Sequence, residues 1–173
     1  KYIDTKDFRE VDRVQRSLLQ GYQYDIAYYA TAEEKVKAEK CYLSLAKQLL
    51  DKENHKFQYK EIEHGGRAQK YYSSVEWLLR ADMVQLCKLV TDVRFDLDDY
   101  ARDDFFRAYT TDLSLLMAMK DFSLKQHIVE NTLAGNSKGG IYECAIADAL
   151  YKKGYQIYFY KNETTCLLYT SDA

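Results

Sequence analysis

The sequence predicts an α+β fold, mostly helical, on three observations. Apolar residues recur at helical spacing through most of the chain, two segments alternate apolar and polar residues instead, and there is no proline. The chain has 173 residues, 47% hydrophobic and 30% charged, with a net charge of −2. Such a composition belongs to one folded domain or two small ones, and gives no overall drive towards DNA or an anionic membrane.

The elements follow in order. Phe8, Val11, Leu18, Leu19, Tyr22 and Ile26 share one helical face, predicting an amphipathic helix over roughly residues 6–28. Thr31 and Glu34 have the spacing of a capping box, in which each side chain takes the other's backbone N–H. A second helix would bury Val36, Leu43, Ala46 and Leu50 and stop at Asp51–Asn54. A short helical turn is expected over Tyr59–Glu63. After Gly65-Gly66 a strong helix should present Ala68, Tyr71, Tyr72, Val75, Leu78 and Leu79. Trp77 would then face away from Ala68 and cover a second surface, supplied by another helix of the same domain or, as the alternative, by a neighbouring module of a longer parent.

Met83–Val90 and Phe105–Tyr109 read as strands, with the acidic segment Asp92–Asp104 as the loop between them. Asp112–Met119 resumes helix, and Ser123–Thr132 is weakly helical. Gly135–Gly140 reads as a flexible connection and the best candidate domain boundary. The helix Ile141–Lys152 beyond it carries Ile141, Tyr142, Ala145, Ile146, Ala149 and Leu150 as its stripe. Gly154 stops it, and Tyr155–Lys161 is a strand. Three helices followed by two strands is the order of a winged helix-turn-helix, and an α/β unit begins after the glycine-rich joint. The expected division is a helical linker over 1–54, a winged-helix-like domain over 55–134 and the α/β unit over 135–165.

Few residues carry chemistry. Lys60, Arg67 and Lys70 lie on or near the helix-turn-helix and are the candidates for contact with nucleic acid. Asp92, Asp96, Asp98, Asp99, Asp103 and Asp104, against Arg94 and Arg102, make the expected wing acidic, which opposes a phosphate backbone. DNA binding is therefore the weaker reading, and a winged helix that docks protein the stronger. Cys41, Cys87 and Cys144 have no zinc spacing and read as buried, reduced thiols of a cytoplasmic protein. His55, His64 and His127 suggest neither a metal site nor a dyad. Seventeen tyrosines are expected mainly to fill the core and its rim, a partner surface being the alternative. No stretch of membrane-spanning length is present, so no membrane contact is expected.

Two groups of motifs carry a family resemblance. The first runs from His64-Gly65-Gly66-Arg67-Ala68 through Val75–Met83 to Phe106–Leu116. The second runs from Lys138-Gly139-Gly140-Ile141-Tyr142-Glu143 through Ala149–Tyr155 to Tyr158–Asn162. Together with Tyr2 and Asp25–Tyr29 they resemble the domain that follows the nucleotide-binding domain in predicted AAA-superfamily ATPases of bacteria and archaea. The resemblance spans roughly residues 1–165.

It implies a non-catalytic C-terminal region that serves such an ATPase as partner or substrate adaptor. The expected partner is the ATPase module of the same protein, or else another protein. ATP and Mg2+ are implied for the intact parent and no cofactor for this chain, which has no GxxxxGK[ST] loop. The second half also resembles the start of a PD-(D/E)XK nuclease-like fold, in which a helix Glu joins a strand Asp and a Glu-x-Lys around magnesium. Glu143 matches the helix Glu, as a remnant catalytic or metal-binding carboxylate whose partners are missing. A metal-dependent nuclease in the intact parent is the enzyme alternative. The first residue is Lys1, so the sequence is expected to begin inside a longer reading frame. Cys166–Ala173 resembles one frame of a sequencing adapter, so Tyr155–Lys161 is expected to keep at most a marginal hairpin partner.

Overall fold

The computed structural model describes residues 2–50, 56–161 and 166–170. It is α+β and mostly helical, as the periodicity predicts. The helices are α1 (Tyr2–Thr5), α2 (Phe8–Tyr29), α3 (Glu34–Leu50), α4 (Ala68–Arg80), α5 (Leu113–Ala118), α6 (Phe122–Val129) and α7 (Gly135–Tyr151). The strands are β1 (Val84–Val90), β2 (Ala101–Thr110), β3 (Ile157–Lys161) and β4 (Cys166–Thr170), in the spatial order β2-β1-β3-β4. Short 3-10 turns cover Tyr59–Glu61 and Asp98–Tyr100.

Side-chain caps explain several helix starts. The carboxylates of Asp7, Asp112 and Asp121 accept the backbone N–H of Arg9, Ser114 and Ser123 at 2.8, 2.7 and 2.9 Å, opening α2, α5 and α6. Half of the expected capping box forms: the Thr31 hydroxyl accepts the Glu34 N–H at 3.3 Å. The Glu34 carboxylate does not return to Thr31, because Ser73 and Ser74 of α4 donate to it. The expected helix stop at Asp51–Asn54 lies outside the described residues.

Helix α3 is central and packs against α2, α4, α5, α7 and β2. Its buried arc runs through Ala38, Cys41, Tyr42, Leu45, Ala46, Leu49 and Leu50. Val36 and Leu43, expected inside, fall just past the edge of that arc and are exposed. On α4 the buried line is Tyr71, Ser74, Val75 and Leu78, leaving Tyr72 and Leu79 at the margin. Trp77 is half-buried against the main core, beside a cleft at the α2–α3 corner, rather than over a separate surface, and Ala68, expected in the stripe, is exposed.

Strands β1 and β2 pair antiparallel, as expected of consecutive strands, from Val84↔Thr110 to Val90↔Ala101 with a bulge after Lys88. The acidic loop is shorter than expected because Ala101–Asp104 belongs to β2. Lys88 reaches Asp103 at 2.6 Å and Arg102 reaches Asp104 at 2.7 Å, so opposite charges sustain the exposed end of the ladder. The two strands do not end as a free wing: β3 lies parallel to β1 through Lys88↔Tyr158, Leu89↔Phe159 and Val90↔Tyr160. On its other side β3 pairs antiparallel with β4, formed by residues expected to be foreign to the fold. Strand β3 is therefore interior to a mixed four-stranded sheet rather than half of a marginal hairpin.

Gly135–Gly140, expected as a flexible connection, is the first turn and a half of α7. It is held there by contact: the Ser137 hydroxyl donates to the Leu50 carbonyl at 2.9 Å, and Gly140 touches Leu49. The buried side of α7 consists of Gly140, Ile141, Cys144 and Ala147, while Tyr142, Ile146 and Ala149 face outwards. Small residues win this contest because they let α7 approach α3 closely. Gly154, at φ +84°, ends the helical run as expected. One hydrophobic cluster joins α2, α3, α4, β1, β2, α5, α7 and β3. A smaller one packs Val90 and Tyr158 beneath Leu97 of the 91–100 loop.

Candidate functional site

Glu143 lies on the side of α7 that faces β2. Its carboxylate takes the Arg107 guanidinium at 2.5 Å and the Tyr109 hydroxyl, two residues apart on one face of the strand. Arg107 in turn lies over the Phe159 ring of β3, 4.6 Å from its centroid. Burial raises the Tyr109 phenol, and the adjoining Glu143 charge raises it further, so Tyr109 remains a hydrogen-bond donor at neutral pH. The pair is mostly buried, with Arg107 and Glu143 side chains 18% and 23% exposed. This cluster ties α7 to the sheet, and its chemistry does not fit magnesium: the carboxylate's neighbours are a cation and a phenol rather than further acids. Among the described residues no group of three or more His, Cys, Asp or Glu could hold a metal ion.

Lys60, Arg67 and Lys70 are all exposed near the start of α4. Lys70 binds Glu63, which also takes Lys40 at 3.2 Å, and Lys47 binds Glu61 at 2.9 Å. Lys70 is the main cause that pushes the Glu63 carboxyl down to about 2, and Glu63 raises Lys70 in return. Of the three, Lys70 is thus offset by an acid of the preceding turn. His64 is exposed, and the His127 ring contacts the Thr132 hydroxyl at 2.9 Å just past the end of α6.

Cys41, Cys87 and Cys144 are buried free thiols. Burial raises the Cys41 thiol to about 12 and the Cys144 thiol to about 11, which removes the thiolate needed for nucleophilic or metal chemistry.

Two surface features escaped the sequence reading. The first is aromatic: Tyr24, Tyr28 and Tyr29 of α2 are 74%, 80% and 71% exposed, and the Tyr28 and Tyr29 rings meet edge to face at 4.8 Å. The signal was available, since Tyr24 and Tyr28 are four apart and fall opposite the buried Leu19 and Ile26. The second is a groove of about 650 Å³ beside the first half of β1, bordered by Leu79, Leu86, Tyr151, Tyr155 and Ile157. Gln85 lies at this groove, 4% exposed, and neither polar atom of its side chain has a hydrogen-bond partner. No periodicity marks such a site, because it exists only where β3 starts later than β1.

No helix among the described residues is long and apolar enough to cross a membrane. No curated protein and no solved structure matches the chain. Residues 1–126 match the domain of unknown function DUF8612, whose description assigns no activity. Helix α7 and strands β3 and β4 lie beyond the matched region, yet α7 and β3 complete its core. With a match over most of its length, the chain belongs to the DUF8612 family.

Proposed function

We propose that this chain is a non-catalytic protein-binding module, an adaptor that serves an AAA-type ATPase as partner or substrate contact. The observation that carries the reading is the exposed aromatic end of α2. Tyr24 and Tyr28 occupy its outer arc, where Gly21 adds no side chain to screen them, and Tyr29 and Leu18, the latter expected on the buried face, are exposed at its edge. Tyrosine on a rigid helix offers a large contact area at low entropic cost and is enriched among residues that dominate interfaces. The family resemblance supplies the ATPase module of the same parent as the partner, with ATP and Mg2+ bound there rather than here. Buried free thiols support a reducing, cytoplasmic setting.

The nuclease and DNA-binding alternatives draw less support. Glu143 is already engaged by Arg107 and Tyr109, and Lys70 by Glu63. The winged-helix-like order of α2, α3, α4, β1 and β2 is compatible with a docking role, since the hairpin is packed between loop and β3.

Calorimetric titration of the chain with the nucleotide-binding module of its own parent tests the reading. Binding is expected, and the double variant Tyr24→Ser/Tyr28→Ser should weaken it at least about tenfold, as loss of interface anchors does. Both tyrosines are exposed, so the urea midpoint should not move. Failure of the wild type to bind, or equal binding by the double variant, defeats the proposal.

A further inference from the structure

We infer that the cleft at the α2–α3 corner binds an arginine side chain of a protein partner, recognised by the rings of Tyr29 and Trp77 and the carboxylates of Glu34 and Glu76. The inference rests on the reading of the chain as a protein-binding module and names the chemistry that the partner brings to it.

Three helices meet at this corner. Helix α2 ends on Tyr29, α3 begins on Glu34, and α4 supplies Ser73, Glu76, Trp77 and Arg80 around a space of about 300 Å³. A space of that size holds one side chain rather than a cofactor. The recognising groups are open to a visitor: Tyr29 is 71% exposed, and Glu34, Glu76 and Trp77 are partly exposed where they border the cleft. The cleft also runs into the tyrosine surface of α2, because the Tyr29 ring meets that of Tyr28 edge to face.

The charge at the cleft lacks its counterpart. The hydroxyls of Ser73, at 3.3 Å, and Ser74 donate to the Glu34 carboxylate, which fixes its position without neutralising it. Nearby acids are matched: Glu33 pairs with Lys37 at 3.3 Å, and Glu63 pairs with Lys40 and Lys70. Among the described residues no ion pair joins Glu34 or Glu76 to a lysine or arginine, and Arg80, one turn beyond Glu76, stays exposed at the rim. Two carboxylates against one guanidinium leave the cleft negative.

Tryptophan and tyrosine faces are the rings that attract a cation most strongly. A guanidinium suits this set better than an ammonium, being flat, weakly hydrated and able to fork its donors onto carboxylates. A phosphate backbone would meet the wrong charge. A metal ion would lack ligands, since no group of three or more acids, histidines or cysteines forms among the described residues.

Trp77 is the only tryptophan of the chain, so its fluorescence reports the cleft. The probe is a blocked Gly-Arg-Gly tripeptide titrated into the full chain, with its citrulline analogue as a neutral control of the same shape. The arginine peptide should change the Trp77 emission saturably, and the citrulline peptide should not. The double variant Glu34→Gln/Glu76→Gln keeps an acceptor for Ser74 and should weaken binding about tenfold, the weight of two partly exposed ion pairs. Arg80→Gln removes the competing cation and should tighten binding about twofold, a gain that a structural role for these residues would not produce. The inference is overturned if the emission change does not saturate, if citrulline serves as well as arginine, or if the double variant binds like the wild type. Tighter binding of choline than of the arginine peptide overturns it too, and marks a site for a small ammonium ligand. A chain that binds the nucleotide-binding module but not the peptide defeats this inference alone; one that binds the peptide but not the module defeats only the proposed partner.

Discussion

The carbonyl oxygen of Leu49 lies where a side chain on Gly140 would have to go: a Cβ there would come within 1.9 Å of it. The obstacle is backbone in the middle of the fold, so it cannot swing aside as the end of a flexible side chain could. Helix α7 rests on α3 at this point, and every residue beyond it inherits its position from the contact.

Replacing Gly140 by alanine should therefore cost about 3 kcal/mol or more, at or above the upper range for overpacked cores. Gly139→Ala is the control, because a Cβ there meets nothing within 4 Å. Alanine's better helix propensity should make that variant neutral or more stable by up to about 1 kcal/mol. The urea unfolding midpoint should fall for Gly140→Ala and hold or rise for Gly139→Ala.

The cluster around Glu143 predicts loss of stability rather than of catalysis. Glu143→Ala strands the Arg107 guanidinium and the Tyr109 hydroxyl, and should cost about 2 to 3 kcal/mol, as for hydrogen bonds to charged groups. Added magnesium should leave the melting temperature of the wild type unchanged, and plasmid DNA should remain intact. Magnesium-dependent cleavage that disappears in Glu143→Ala would reverse this view.

Alkaline pH should unfold the protein early. Burial raises the Cys41 thiol to about 12 and the Cys144 thiol to about 11, from 9.0. Burial, and then nearby ionisable groups, raises Tyr59 from 10.0 to about 12. Above pH 9.0 the unfolded chain therefore holds fewer protons than the folded one, and stability falls as pH rises. The contribution is complete below that pH and lost progressively up to about 12. Urea titrations across this range should show a falling midpoint, and the buried thiols should resist a disulfide reagent until the chain unfolds.

Gln85→Leu should stabilise the free protein by about 1 kcal/mol or more, because it removes a buried amide without partners. A higher melting temperature is the expected reading. A lower one would mean that the amide is satisfied in solution.

The existence of most elements was legible in the sequence because apolar periodicity is a local property, and α2, α4, β1 and the turn at Gly154 follow it. Which face turned inwards was harder to read on α3 and α7. Helix α3 is packed on several sides, so its buried arc widens past any single stripe. Helix α7 turned its small residues inwards and left Tyr142 and Ile146 outside, since closeness of backbones outweighed the larger side chains. The parallel pairing of β1 with β3 had no signal at all: nothing in Lys88–Val90 names Tyr158–Tyr160 as its neighbour. Glu143 was identifiable as a residue, but Arg107 and Tyr109 meet it only after that sheet and that helix have formed. The DNA candidates Lys60, Arg67 and Lys70 were legible as positive charges, while the pairing of Lys70 with Glu63, from the turn before α4, exists only in the folded chain.

The position of β1 between β2 and β3 also dictates when the molecule can fold. Its antiparallel neighbour follows within twenty residues or so, a hairpin that closes on the microsecond scale. Its parallel neighbour arrives only at Tyr158, so Lys88 must wait through the whole of α5, α6 and α7. A ribosome adding about ten residues per second would leave that edge unpaired for several seconds, a window in which nascent chains on one message could pair with each other. The non-local pair raises contact order and slows the final step. Through that interval the exposed end of the hairpin carries Arg102, Asp103 and Asp104, charges that discourage an intruding strand until β3 is made.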